Sequence, residues 1–252
     1  MKKLFLIILF FLTPTFYAQV NIERYNNLNK IEGLMGNLAF YISSKTGNTD
    51  IQEFGVDGRI NYKEKSYYSI LIAQGEYGWN KGNEFSNEAL LHLRYLKDLS
   101  NNIKAETYGQ INYNKSRLLL FRYLGGAGVR VTAISDTLKS LDLGSSYMYE
   151  YESLDLDKSA KHPTETYHHR WSNYISFSSS LSDNSRLSIV IYAQPRFDEF
   201  NDIRILSENN LGVSLTNKLS LTLNFSVRFD NRPPDGVKDV DTNTKVGFTI
   251  KF

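Results

Sequence analysis

KLSLTLNFSVRF (Lys218–Phe229) alternates without a break. Leu219, Leu221, Leu223, Phe225, Val227 and Phe229 fall on one face; Ser220, Thr222, Asn224, Ser226 and Arg228 fall on the other. Side chains of a strand point to opposite faces in turn, so this period of two marks an extended segment with one apolar and one polar side. One such strand is uninformative about its surroundings. Its repetition along the chain is what carries the fold.

The same alternation recurs. Phe54, Val56, Gly58, Ile60 and Tyr62 oppose Gly55, Asp57, Arg59, Asn61 and Lys63. Leu141, Leu143, Tyr147, Tyr149 and Tyr151 oppose Asp142, Gly144, Ser146 and Glu150. Leu119, Phe121, Tyr123, Ala127, Val129, Val131 and Ala133 oppose Arg122, Gly126, Gly128, Arg130 and Thr132. About twelve such runs occur, near 33–43, 50–63, 65–79, 84–97, 102–113, 117–134, 137–151, 166–181, 185–196, 202–215, 218–230 and 240–252. No helical period of useful length follows residue 19. An even count of strands, many longer than the roughly 9–11 residues that cross hydrocarbon, predicts an all-β, antiparallel up-and-down transmembrane β-barrel.

The connections agree. Such barrels alternate tight turns on one side with longer loops on the other. Lys63–Lys65, Asp98–Asn102, Ser135–Thr137, Ser182–Ser185 and Thr216–Asn217 are short. Glu152–Glu165, Arg196–Asn201 and Asn231–Asp239 are long, and Ser44–Asn48 points the same way. The short set is predicted to be periplasmic and the long set external. A soluble sandwich or lipocalin-like barrel, with the apolar face in a core, is the competing architecture; it gives no reason for this alternation.

Bulk composition closes off other classes. The chain has 252 residues and a net charge of +2, so it carries no field for nucleic acid. It has no cysteine, which excludes disulfides and thiolate metal sites. The opening MKKLFLIILFFLTPTFYAQ has Lys2 and Lys3, an apolar run Leu4–Leu12 and then Ala18. That is the layout of an export signal, predicted over residues 1–18, although Phe16 is larger than usual near a cleavage site. Residues 19–252 are then one barrel domain. A mean hydropathy of −0.37 with 13% aromatic residues fits a β-type protein and excludes a bundle of membrane helices.

The predicted lumen side carries Asp57, Arg59, Arg94, Glu106, Arg122, Arg130, Glu150, Arg204 and Arg228, with His92, Lys104, Asp142, Arg186 and Glu208 beside them. These charges can pair across a narrow interior and fill it, or line a small pore that favours anionic solutes. Catalytic chemistry is not signalled. Of the four histidines, His162 falls in the longest loop, and His168 and His169 are neighbours on one strand, facing opposite sides and unable to share a metal. No Ser and His stand at a spacing resembling that of outer-membrane phospholipases. DLDKSAKHPTE (Asp155–Glu165) and DVDTNTK (Asp239–Lys245) lack the central Gly and final Glu of a calcium loop. GGAG (Gly125–Gly128) sits within a strand pattern, where it marks a bend or a close interior contact. No metal or cofactor is expected.

RFDNRPPDGVKDVDTNTKVGFTIKF (Arg228–Phe252) resembles the ending of the salt-induced outer membrane protein family, bacterial outer-membrane β-barrels of unknown function. The resemblance rests on Pro233, Pro234, Gly236, Lys238, Asp241, Thr242 and Phe252. EFGVDGRINYKEKSYYSILIAQGEYG (Glu53–Gly78) and LGGAGVRV (Leu124–Val131) are also similar to strands of that family. It implies a closed barrel in outer-membrane lipid and supplies no catalytic residues. The final strand, with Phe248, Ile250 and Phe252 outward, resembles the signal that barrel-assembly machinery reads. The expected function is a narrow channel for small solutes or an envelope-stabilising barrel. The alternative is an outer-membrane enzyme acting on lipid or lipopolysaccharide at the external rim, through His162, His168 or His169.

Overall fold

The computed structural model describes residues 32–45 and 51–251. The predicted export signal, the tip of the first connection and Phe252 lie outside the described residues. Twelve strands follow in order: β1 (Gly33–Lys45), β2 (Ile51–Glu64), β3 (Tyr67–Asn80), β4 (Asn83–Asp98), β5 (Ile103–Asn114), β6 (Leu119–Ser135), β7 (Lys139–Leu154), β8 (Glu165–Ser180), β9 (Ser185–Pro195), β10 (Ile203–Ser214), β11 (Leu219–Asp230) and β12 (Val240–Lys251). Each pairs antiparallel with its neighbours in sequence, and β1 pairs with β12, so the sheet closes on itself. The alternation read from the sequence therefore becomes an inside and an outside.

The connections divide between two rims. One rim has only tight turns, at 65–66, 99–102, 136–138, 181–184 and 215–218. The other carries 81–82, 115–118, 155–164, 196–202 and 231–239. Lys81 and Gly82 form the shortest connection of this long-loop rim, and both have positive φ, at 49° and 81°. That is the twist a two-residue hairpin needs. A single 3-10 turn, Lys115–Arg117, links β5 to β6. Alternation predicts the sixth strand from 117; β6 starts at Leu119 instead, because Leu118 takes a left-handed conformation after this turn. A register shift between Leu119 and Phe121 then turns Leu119 inward, so it is buried and not part of the outer face.

Outward positions are apolar and exposed: Leu38 and Phe40 on β1, Leu91 and Leu93 on β4, Ile175 on β8, Leu223 and Phe225 on β11, Phe248 and Ile250 on β12. Inward positions include Arg59, His92, Arg94, Glu106, Arg122 and Glu150, all buried. A water-soluble barrel sorts its residues the other way round. Exposed apolar surface costs roughly 25 cal/mol per Å² in water and nothing in hydrocarbon, so this sorting defines a transmembrane barrel.

The interior is not wholly polar. Ile70, Ile72, Leu90 and Leu96 make one buried apolar group, Tyr174, Val190, Tyr192 and Leu206 a second, and Tyr108, Leu124 and Met148 a third. Space for the tyrosines comes from glycine. A Cβ on Gly126 would lie 2.4 Å from the Tyr108 ring, and one on Gly144 would lie 2.0 Å from that of Tyr174. The rings therefore lie against the inner wall, which accounts for Gly126 in β6 and Gly144 in β7.

Leu91 is outward and midway along β4. Leu91→Arg is expected to lower stability in lipid vesicles by about 2–4 kcal/mol, the cost of arginine on a barrel's lipid face at mid-depth. Denaturant titration measures it. No loss in lipid would mean that this face meets water.

Candidate functional site

The interior charges assemble according to the register. Glu150 and Glu152 are two apart on β7 and share the inner face. Arg122 of β6 lies opposite Glu152, Arg170 of β8 opposite Met148, and Arg204 approaches from β10. Glu150 accepts from Arg122 Nε at 3.1 Å, from Arg170 Nε at 2.7 Å and from Arg204 Nη1 at 2.9 Å. Arg204 also donates to both oxygens of Glu152 at 2.9 Å and, through Nε, to Asp230 at 2.7 Å. Arg228 lies 3.3 Å from Asp230, and Arg170 lies 3.0 Å from Asp202. Four guanidinium groups thus face four carboxylates. Glu150 has no solvent exposure at all, and Arg122 and Arg170 have 1%.

The other predicted lumen residues pair locally. Arg94 is 3.1 Å from Glu106, stacks over Tyr108 at 4.7 Å, and shares Glu106 with the Tyr174 hydroxyl at 2.8 Å. Arg130 is 2.7 Å from Asp142. Arg59 donates to Asn61 at 2.7 Å and to the Tyr68 hydroxyl at 2.9 Å, and Asp57 accepts from Gln74 at 2.8 Å. Of the nine candidates, Arg122, Glu150, Arg204 and Arg228 belong to one network, Arg94 pairs with Glu106, and Asp57, Arg59 and Arg130 stand elsewhere on the wall. Phe248 and Ile250 are exposed on the outer face of β12.

Sequence reasoning missed Glu152, Arg170, Asp202 and Asp230. Arg170 was within reach, since it follows His168 by two and shares its face. Asp202 sits in a connection, where alternation says nothing.

Above the network the long loops fold together across the mouth. Arg117, 7% exposed on the 115–118 turn, reaches to 3.8 Å from Asp241 on β12. The Asp235 carboxylate accepts from the backbone N–H groups of Lys161 at 2.6 Å and His162 at 2.7 Å, joining loop 231–239 to loop 155–164. The His162 amide, with that of Lys161, holds the Asp235 carboxyl below its usual range. Ile203 N–H donates to Asn231, Arg232 pairs with Glu199, and Asp155 N–H donates to the Leu118 carbonyl. The hydrogen bond from Arg196 draws the Asp198 carboxyl down to about 2. Pro233 and Pro234 precede Gly236, whose φ of +85° completes the turn that presents Asp235.

The histidines do not come together. His169 faces out beside Tyr147, with which it is hydrogen-bonded, and His168 lies on the inner face of the same strand. His162 stays in its loop, bonded to the Pro163 carbonyl at 2.8 Å. Among the described residues no cluster of three or more His, Asp or Glu side chains is arranged to hold a metal ion.

An apolar outside, a closed ladder and ion-paired inward side chains define a transmembrane β-barrel. Residues 39–252 match the family described as protein of unknown function, DUF481, and the chain belongs to that family. Among solved structures it is similar to the NanC porin (11% identity, 86% of this chain and 98% of that one, TM-score 0.49). It is also similar to the KdgM porin (9%, 87% and 99%, TM-score 0.47). A third is the translocator domain of the autotransporter NalP from Neisseria meningitidis (12%, 91% and 94%, TM-score 0.47). No curated protein matches the chain.

Breaking a buried ion pair by removing one partner strands the other charges and typically costs about 3–5 kcal/mol. Glu150→Ala, which removes the carboxylate that three buried arginines share, is expected to cost about that much in denaturant unfolding. Lys158→Ala, exposed on a loop, should change stability by less than about 0.5 kcal/mol.

Proposed function

We propose that this chain is an integral β-barrel of the bacterial outer membrane, exported by its N-terminal signal, whose resting role is structural and whose interior does not conduct. The observation that carries the reading is Glu150, wholly buried between three arginines that come from three different strands. A pore that passes anions leaves its arginines facing water. Here the guanidinium groups of Arg122, Arg170 and Arg204 are occupied by carboxylates, and the long loops are tied together above them. The side chains that would attract a solute are the ones that close the path to it.

The barrel's surroundings follow from its outer face. Lipid chains meet the apolar middle of the wall. Near the long-loop rim Tyr123 packs on Tyr149 and Tyr151, and Tyr151 packs on Tyr167, with ring centres 4.8 to 6.0 Å apart. Near the other rim Tyr62, Tyr67 and Tyr95 form a similar set. Aromatic rings with polar tips favour headgroup depth, so two such belts fit a barrel that spans one bilayer. Delivery by barrel-assembly machinery would use the outward residues of β12, including Phe248 and Ile250.

Planar-bilayer recording tests the closed state. Wild-type protein is expected to give no steady conductance steps, and the paired change Glu150→Ala with Arg204→Ala is expected to give them. Steady steps from the wild type would instead support a narrow channel.

A further inference from the structure

The seam where the barrel closes is unlike its other ladders. β1 runs to Lys45 and β12 begins at Val240, yet among the described residues only four Cα pairs join them, from Asn37–Lys251 to Phe40–Phe248. Thirteen pairs join β1 to β2 and eleven join β11 to β12. Beyond Phe40, towards the long-loop rim, both strands continue their ladders to β2 and β11 while the ladder between them stops.

Side chains bridge this stretch. Lys245 Nζ of β12 donates to the Tyr41 hydroxyl of β1 at 2.7 Å and to Glu76 Oε2 of β3 at 2.6 Å. The same ammonium lies 4.4 Å from the centre of the Tyr41 ring. Tyr41 donates its hydroxyl to Glu76, and Ser86 donates to the other oxygen of that carboxylate at 2.9 Å. Three strands are therefore held by one cation, one phenol and one carboxylate at the place where the backbone ladder gives out.

A cavity of about 20 Å³ opens at the same place. Asp57, Asn224 and Lys245 line it from the inner face; Phe40, Val246 and Phe248 line it from the outer face. It lies where the ladder between β1 and β12 stops, beside the Lys245 cluster. Its outer lining suits hydrocarbon and its inner lining suits a polar headgroup.

We propose that the β1–β12 seam, on its long-loop side, is a lateral gate latched by Lys245, Tyr41 and Glu76, through which a membrane lipid enters the barrel wall with its chain outward and its head towards Asp57, Asn224 and Lys245. The inference rests on the barrel being embedded in lipid. Its energetic basis is that a ladder of four pairs opens more easily than ladders of eight or more, so a small cluster of side chains can set whether it is open. The ion-paired filling stays in place during this movement, since none of its arginines belongs to β1 or β12.

The chain lacks cysteine, so a single bimane label can be placed at will. Labels at Asn224→Cys, Ser172→Cys and Leu93→Cys would be compared in phosphatidylcholine vesicles with brominated acyl chains. The gate predicts that Glu76→Gln and, more mildly, Tyr41→Phe raise quenching at Asn224 several-fold. The Ser172 label, inside and away from the seam, should stay unquenched, and the Leu93 label should be quenched throughout. Unchanged quenching at Asn224 in both variants overturns the gate, as does equal quenching at Asn224 and Ser172, which would report a general loosening. Failure to quench Leu93 would overturn the membrane reading itself.

Discussion

A backbone N–H or C=O facing hydrocarbon has no partner there, and each group left so costs several kcal/mol. A sheet that enters a bilayer must therefore close. β1 meets β12 for this reason, and closure gives every alternating strand one lipid face and one enclosed face. The polar side of each strand is consequently packed with the polar sides of all the others. In that low-dielectric interior a charge persists only when it is paired and hydrogen-bonded. The network around Glu150 is the outcome: arginines from β6, β8 and β10 converge on one carboxylate of β7.

The filling and the seam represent two answers to the same constraint. Where ladders are long, as between β6 and β7 or β7 and β8, the interior side chains on them form the dense ion-paired and tyrosine-lined side of the barrel. Where the ladder is short, between β1 and β12, a compact group of side chains stands in for backbone pairing. The barrel thus has a rigid flank and a weaker flank. The loops that tie across the mouth, through Asp235 and Arg232, sit above both.

Much of this was legible in the sequence, and the reason is periodicity. Alternation in stretches such as Lys218–Phe229 places Leu and Phe on one side and Ser, Thr and Arg on the other whatever the neighbours are, so strands and their faces could be read locally. Alternation fails where both faces are apolar. In β3 Ile70 and Ile72 point inward while Leu71 points out, and the run of three apolar residues concealed the buried apolar group they build. The partners of the charges were also hidden. Arg204 meets Glu150 across 54 positions and Lys245 meets Glu76 across 169, distances set by closure and stagger rather than by any local pattern. Arg170 was overshadowed by the histidines before it, and Asp202 by its place in a connection.

The central claim is that ion-paired side chains exclude water from the middle of a lipid-embedded barrel. Ser172 is inward on β8 and 1% exposed, and the native chain has no competing thiol. The direct measurement is the rate at which Ser172→Cys, in the folded protein in vesicles, reacts with a charged, water-borne thiol reagent. The account predicts that this thiol stays unmodified under conditions that label an exposed loop cysteine to completion, and that adding Glu150→Ala makes it reactive. Modification of Ser172→Cys at the loop rate in the otherwise wild-type barrel would contradict it.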